Sequence, residues 1–155
     1  MRIGHGYDVH RMKEGRRCIL CGIEIPYAFG PDGHSDADVP IHALMDAMLG
    51  AAAMGDIGRH FPDTDPAYAG ADSLVLLRHV CGLIAAAGYA FGNADITIIA
   101  QKPKIAAYIP AMRQKLAEVL GVEAGRLNIK ATTEEGLGFT GSCDGISAHA
   151  VVLLE

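Results

Sequence analysis

Between Val39 and about Met54 the chain is apolar on almost every side, with Leu44, Met45, Met48, Leu49 and a run of alanines from Ala51 to Ala53. That composition predicts a helix, closed near Gly55, and a helix without a broad polar face has to be buried. Asp38, His42 and Asp46 recur every four residues and share one narrow stripe of it. Burying an Asp-His-Asp stripe costs free energy unless each group finds a partner. A metal on His42, with a carboxylate orienting its other ring nitrogen, would supply such partners. A solvated edge, with Asp38 only capping the helix, is the other reading, and spacing alone does not separate the two.

The N-terminal strand offers what the stripe lacks. Asp8 and His10 are two apart on a predicted strand, so both project from one face and present an oxygen and an imidazole together. With His42 they make a three-ligand set of the kind that leaves a fourth position open on a catalytic zinc. His34 and Ser35 stand just before the helix, in a glycine-containing loop where a ligand can approach the main chain. His34 is thereby a candidate for transition-state stabilisation, against the plainer reading of an exposed loop histidine.

Around this centre the pattern reads β, β, α, α, β, α, β, β. Residues 1 to 10 and 17 to 26 are predicted strands, joined into a hairpin by Lys13-Glu14-Gly15-Arg16. Asp72 or Ser73 caps a helix carrying Leu74, Leu77, Val80, Cys81 and Ile84 at helical spacing, with Gly88 as its stop. Phe91 to Ala100 is a buried strand, and Pro110 opens a helix that ends at Gly121. Leu127 to Thr133 and Ile146 to Leu154 are the last strands. The expected architecture is a single α+β domain over residues 1–155, a mixed sheet with helices packed on one face. Self-association is the economical cover for the other face.

Composition excludes several functions. With half its 155 residues apolar, the chain can build a core without disulfides. A formal charge of -5, with 13 Lys and Arg gathered into no run, argues against nucleic-acid and membrane surfaces. Met1-Arg2-Ile3-Gly4-His5-Gly6 lacks the apolar core of a signal peptide, so a reducing cytoplasm is the expected location. Cys18 and Cys21 form a lone C-x-x-C in a strand-like run, where positions three apart face opposite ways, and they read as packing residues.

Two loops complete the candidate chemistry. Gly55-Asp56-Ile57-Gly58-Arg59-His60-Phe61-Pro62-Asp63-Thr64-Asp65-Pro66 sets acids among glycines and prolines, which suits hydroxyl or cation recognition as well as a plain solvated turn. Ala131-Thr132-Thr133-Glu134-Glu135 ends a strand with two hydroxyls and two carboxylates, suited to phosphate oxygens and a hard cation, or to a helix cap.

Taken in order, His5-Gly6-Tyr7-Asp8-Val9-His10, His34-Ser35-Asp36-Ala37-Asp38-Val39, Gly55-Asp56-Ile57-Gly58, Phe61-Pro62-Asp63-Thr64-Asp65 and Lys130-Ala131-Thr132-Thr133 resemble the family of 2-C-methyl-D-erythritol 2,4-cyclodiphosphate synthases, almost from end to end. The resemblance implies a homotrimeric lyase of the non-mevalonate isoprenoid pathway with active sites between neighbouring subunits. It implies zinc on Asp8, His10 and His42, and a second cation, Mg²⁺ or Mn²⁺, on Glu135. His34 and Thr133 match the positions that stabilise the transition state. The implied substrate is the cytidine diphosphate compound 4-diphosphocytidyl-2-C-methyl-D-erythritol 2-phosphate, cyclised with release of CMP. Its methylerythritol part would meet Asp56, Ile57, Gly58, Phe61 and Asp63, with Ser35, Pro62, Thr64 and Asp65 also among the substrate-binding residues. Its cytidine and phosphates would meet Ala100-Gln101-Lys102-Pro103-Lys104-Ile105-Ala106, Ala131, Thr132, Thr133, Glu134, Glu135 and Phe139.

Many relatives carry Arg and Glu where this chain has Ser142 and His149, near a central trimer cavity thought to accept an isoprenoid diphosphate, and here the fixed cation is missing. Two further readings use the same residues: a zinc-dependent phosphohydrolase, and a non-catalytic trimeric regulator that binds metal or nucleotide. The products distinguish the first, and CDP binding without turnover the second.

Overall fold

The structure, a computed structural model, describes residues 1–62 and 64–155. Its frame is a five-stranded mixed sheet in the order β4-β1-β7-β5-β6. The strands are β1 (Arg2–Glu14), β4 (Phe29–Pro31), β5 (Phe91–Ile99), β6 (Leu127–Thr132) and β7 (Gly145–Leu154). β5 and β6 run parallel and the other pairings are antiparallel. α1 (Val39–Ala51), α3 (Ser73–Ala86) and α4 (Ile109–Leu120) lie on one face, so the expected α+β architecture is present.

The predicted hairpin between the first two strands does not form. Cys18–Leu20 and Ile23–Ile25 are instead two short strands, β2 and β3, that pair with each other as a separate ribbon. β1 runs to Glu14, and the turn at Lys13 to Arg16 forms, with the Arg16 N–H donating to the Lys13 carbonyl at 3.4 Å, but β1 takes β4 and β7 as neighbours. The reason is local: Cys21 and Gly22 both have positive φ, 51° and 72°, which turns the chain back after Leu20. Cys21 therefore occupies a turn, and the argument that strand alternation points the two thiols apart fails. Both cysteines are nevertheless buried in the core, 1% and 0% exposed, as packing residues would be. Burial pushes the Cys18 thiol up to about 11 and that of Cys21 well above its usual value.

α1 explains how the sheet positions chemistry. A Cβ on Gly4 would sit 1.9 Å from the Ala47 carbonyl oxygen, and one on Gly6 would sit 1.9 Å from that of Ala43. Only glycines allow the helix backbone this close to β1. The next inward-facing residue along the strand is Asp8, and it meets His42 on the same helix. Helix α1 ends at Ala51, three residues before the predicted Met54, with Ala53 left-handed at φ 59°.

Along β1 the outward residues Ile3, His5, Tyr7, Val9 and Arg11 are exposed, as are His149 and Val151 of β7. Among the described residues no element covers this face of β1 and β7.

Candidate active site

Asp8, His10 and His42 converge. His10 Nε2 and His42 Nδ1 each lie 3.1 Å from Asp8 Oδ2, and the three ligand atoms fall within 4.8 Å of one another. The imidazoles meet edge-on, with ring centroids 5.5 Å apart. Burial alone would raise the Asp8 carboxyl, but hydrogen bonds and charge from His10 and His42 outweigh it and hold Asp8 well below the usual carboxylate range. Burial alone would lower His10, but Asp8, and the carbonyl and charge of Asp32, raise it.

The hydrogen bonds behind the rings say what the cluster is built to hold. His10 Nδ1 lies 2.8 Å from the Asp32 carbonyl oxygen, which can only accept, so Nδ1 carries a proton and Nε2 is the nitrogen turned to Asp8. Gly33 permits this, because a Cβ there would come within 2.7 Å of the His10 ring. On the far side of His42, Nε2 lies 3.0 Å from Ser73 Oγ and 3.2 Å from Ser35 Oγ. Two imidazole nitrogens and a carboxylate oxygen face one point, a donor set that fits a divalent metal such as zinc.

The rest of the predicted polar stripe does other work. Asp38 is fully buried and caps α1, accepting from the N–H of Ile41 at 3.3 Å, of Cys21 at 2.9 Å and of Gly22 at 2.7 Å. Burial pushes its carboxyl up to about 7, against the pull of those N–H donors. Asp46 accepts from the Ile57 N–H at 2.8 Å. Neither carboxylate orients His42; hydroxyls do, Asp38 caps the helix as the second of the two sequence readings had it, and Ser73 was legible only as a helix-start residue.

A pocket of about 220 Å³ opens on the cluster, lined by Asp8, His10, His34, Ser35, His42, Ile57, Gly58 and Phe61 among the predicted residues, and by Met45, Tyr68 and Leu76, which the sequence did not single out. Asp46 anchors the short helix α2 (Ile57–His60) to α1, and Asp56 caps it by accepting from the Arg59 N–H at 3.0 Å. Phe61 meets Tyr68 edge-on at 5.4 Å. Pro62 and Thr64 are exposed, Asp65 is half-buried, and Asp63 lies outside the described residues.

The other half of the predicted site is elsewhere. Ala100 through Ala106 follow β5, and Ala131 through Glu135 run from the end of β6 into the loop after it; the two stretches are tied by Ala100 N–H donating to the Thr132 carbonyl at 3.1 Å and Gly136 N–H to Gln101 Oε1 at 3.4 Å. Thr133 Oγ1 accepts from the Glu135 N–H at 3.4 Å, and Thr140 Oγ1 donates to Glu134. Lys102, Lys104, Ala106 and Glu135 are exposed, whereas Ile105 is buried. Asp8, Ala148, Ile98 and Ala131 lie in one cross-strand row, so the two halves are three strand spacings, about 14 Å, apart. Phe139, in the four-residue helix α5 (Gly138–Gly141), is exposed and packs by Gly145 near Val9 and Arg11. Ser142 donates its hydroxyl to Asp144, with the Phe139 carbonyl oxygen 3.2 Å from the same Oγ, and His149 lies on the open sheet face, 3.0 Å from His5.

A mixed sheet that carries an aspartate and a histidine against a buried helix histidine, all three turned to one point, defines an α+β protein with a candidate metal-binding pocket. The YgbB family's sequence profile matches residues 1–155, and the chain belongs to that family. A Trichlorobacter lovleyi protein called 2-C-methyl-D-erythritol 2,4-cyclodiphosphate synthase is 67% identical over 154 residues, which are 99% of this chain and 98% of that one. A solved structure of 2C-methyl-D-erythritol-2,4-cyclodiphosphate synthase in a CDP-bound form matches with a TM-score of 0.92 at 40% identity, covering 99% of this chain and 100% of that chain. The bifunctional IspDF from Campylobacter jejuni matches with a TM-score of 0.95 at 40% identity, covering 99% of this chain and 42% of that longer one.

Proposed function

We propose that residues 1–155 form one catalytic domain that converts 4-diphosphocytidyl-2-C-methyl-D-erythritol 2-phosphate to 2-C-methyl-D-erythritol 2,4-cyclodiphosphate and CMP, in the non-mevalonate pathway to isoprenoid precursors. The observation that carries this reading is the convergence of Asp8, His10 and His42 on one point of a pocket, in a chain whose relatives bear that synthase's name. An oxygen of the substrate's 2-phosphate bonds to the β-phosphorus, the β-phosphorus–oxygen bond to CMP breaks, and its electron pair leaves on the CMP phosphate. Asp8, His10 and His42 would hold zinc, and Glu135 Mg²⁺ or Mn²⁺, and the Lewis acidity these cations supply when bound would withdraw charge from the phosphorus attacked and from the leaving phosphate.

The protein's own part is positioning. The nucleophile is already an anion, so no strong general base is required. The substrate has to be folded back on itself, an orientation effect whose limit is about 7 to 11 kcal/mol. The loop Asp56, Ile57, Gly58, with Ser35 and Phe61 to Asp65, holds the methylerythritol hydroxyls. His34 and Thr133 donate to the phosphate oxygens as charge builds on them.

The pocket, about 220 Å³, is smaller than the roughly 300 to 1,000 Å³ typical of sites that enclose a drug-sized ligand. The cytidine needs Ala100 to Ala106 and Ala131 to Glu135, and within one chain these stand too far from the triad. Both facts support a homotrimer in which one subunit's triad works with the loops of its neighbour, the open face of the sheet turned inward. Among the described residues no helix is long and apolar enough to cross a membrane, and we place the enzyme in the cytoplasm with no nucleic-acid partner.

The test is incubation with the authentic substrate and zinc plus Mg²⁺, followed by phosphorus NMR. Cyclic diphosphate and CMP in equal amounts are expected. Free phosphate would establish the phosphohydrolase instead, and CDP binding without turnover the regulator.

A further inference from the structure

We propose that Arg16 is a clamp that fixes the loop from Asp32 to Ser35 on the wall of the pocket, and so is a positioning residue for His34. His34 has a catalytic role only on the reading of the reaction given above; the clamp itself is a matter of hydrogen bonds. The loop lies between β4 and α1 and has no regular structure of its own. Even so, each of the five consecutive carbonyls from Pro31 to Ser35 accepts from a donor outside the loop. Arg16 Nε donates to the Pro31 carbonyl at 3.3 Å, and Arg16 Nη2 to those of Gly33 at 3.2 Å and Ser35 at 3.3 Å. The Asp32 carbonyl takes the His10 ring at 2.8 Å, and the His34 carbonyl takes the Gly70 N–H at 2.8 Å.

One guanidinium therefore holds three of the five. The edge formed by Nε and one terminal nitrogen carries one hydrogen and two, which matches these three carbonyls hydrogen for hydrogen. Arg16 is partly buried, and the Asp32 carboxylate lies 3.6 Å from Nε and 3.5 Å from Lys13 Nζ, beside the charge. Hydrogen bonds from a cation are stronger than neutral ones. The side chain is rooted in the turn after β1, where the Gly15 N–H donates to the Ala28 carbonyl at 3.0 Å. Arg16 does not line the pocket, whereas His34 and Ser35 do. It acts through the loop.

What the clamp decides is where His34 stands. That residue is exposed, so little packing of its own fixes the ring, and its reach is set by the main chain beneath it. The carbonyls on both sides of it, of Gly33 and Ser35, end on the same nitrogen of Arg16. A lysine could not take over. Its ammonium presents all its hydrogens from one nitrogen and has no two-nitrogen edge to lay along three carbonyls.

Arg16→Lys keeps the charge and removes the fork, and Arg16→Gln removes both, so similar effects in the two variants identify geometry as the cause. The first measurement, amide hydrogen exchange on the full chain, needs no substrate. The amides of Asp36 and Ala37 donate to the Ala71 carbonyl and to Ser35 Oγ, each at 3.1 Å, and should exchange at least about 10-fold faster in both variants. Helix α1 from Leu44 onward should keep its wild-type rates. The second is a double-mutant cycle on turnover. Arg16→Lys should lower kcat at least about 10-fold and change KM less, yet cost no more than about 2-fold when added to His34→Ala, because nothing is then left to position. Arg17→Gln, which removes only an exposed contact with Glu24, should leave exchange and turnover within about 2-fold of wild type.

Wild-type exchange at Asp36 and Ala37 in the folded Arg16 variants overturns the clamp. Faster exchange with fully additive losses in the cycle overturns its action through His34 and makes Arg16 a structural residue only. Absence of cyclic product from the wild type refutes the proposed reaction instead, and the exchange rates alone then decide the clamp.

Discussion

At the scale of single residues the centre depends on which atoms carry protons. His42→Ala removes one of three ligands from a core that is otherwise apolar, so the fold should survive while zinc content falls below stoichiometric and activity drops by more than about 100-fold. Metal analysis and circular dichroism check both halves. The pH dependence has two signs. Zinc needs deprotonated imidazoles, and the raised His10 holds its proton to higher pH than an ordinary histidine, so zinc affinity should fall steadily as pH is lowered from about 8 to about 6. In metal-free protein the same pairing contributes stability differently. The share from Asp8, whose carboxyl is depressed, is present above about pH 3.9 and lost as pH falls through its folded value. The share from His10 is full below about pH 6.5 and lost as pH rises through its raised folded value. Melting temperatures of chelated protein should therefore decline on the alkaline side of about pH 6.5 through this pair, and zinc-loaded protein should not show that decline.

At the scale of elements the decisive contact is α1 on β1. Gly6→Ala puts a methyl group into the carbonyl of Ala43, which is backbone and cannot rotate away. Urea unfolding should show a loss of about 3 kcal/mol or more, and zinc affinity should fall with it because His42 rides on the displaced helix. The β2–β3 ribbon is tied to the same helix through Asp38, which accepts from Cys21 and Gly22. Cys21→Ser should cost about 1 to 3 kcal/mol, since a hydroxyl replaces a fully buried thiol. Metal content should stay stoichiometric. Loss of zinc in that variant would make the cysteine pair a site in its own right.

For the whole molecule the open face of β1 and β7 carries the argument. Ile3, Tyr7, Val9 and Val151 are 74%, 44%, 43% and 45% exposed, side by side on one surface. In the proposed trimer this surface is internal, so a charge there opposes assembly. Val151→Glu should shift the mass in solution from three chains to one and reduce turnover by at least about 10-fold, because the triad loses the neighbour's loops. Zinc binding by the separated chain should persist, since the whole triad is in one subunit. Sedimentation and metal analysis on one sample separate a broken assembly from a broken site.

How much of this was legible beforehand divides along the range of the interactions. Alternation on β1 and the four-residue stripe on α1 are local periodicities, so Asp8, His10 and His42 could be read as ligands, and the buried helix and mixed sheet with them. The same reasoning failed where a polar group had a choice of partner. Asp38 and Asp46 were expected to serve His42, yet backbone N–H groups of β2–β3 and of α2 claimed them, and those donors are brought near only by the fold. The charged turn forms, but the expected pairing after it does not, because two residues with positive φ after Leu20 fold that stretch back on itself, and one of them is a cysteine, which carries no turn signal. Ser73 reached His42 across 31 residues, and no spacing announces such a contact. Chain order determines which side chains share a strand or helix face; which donor meets which acceptor across elements is decided when the sheet and helices pack, because a hydrogen bond is satisfied only within about 3 Å.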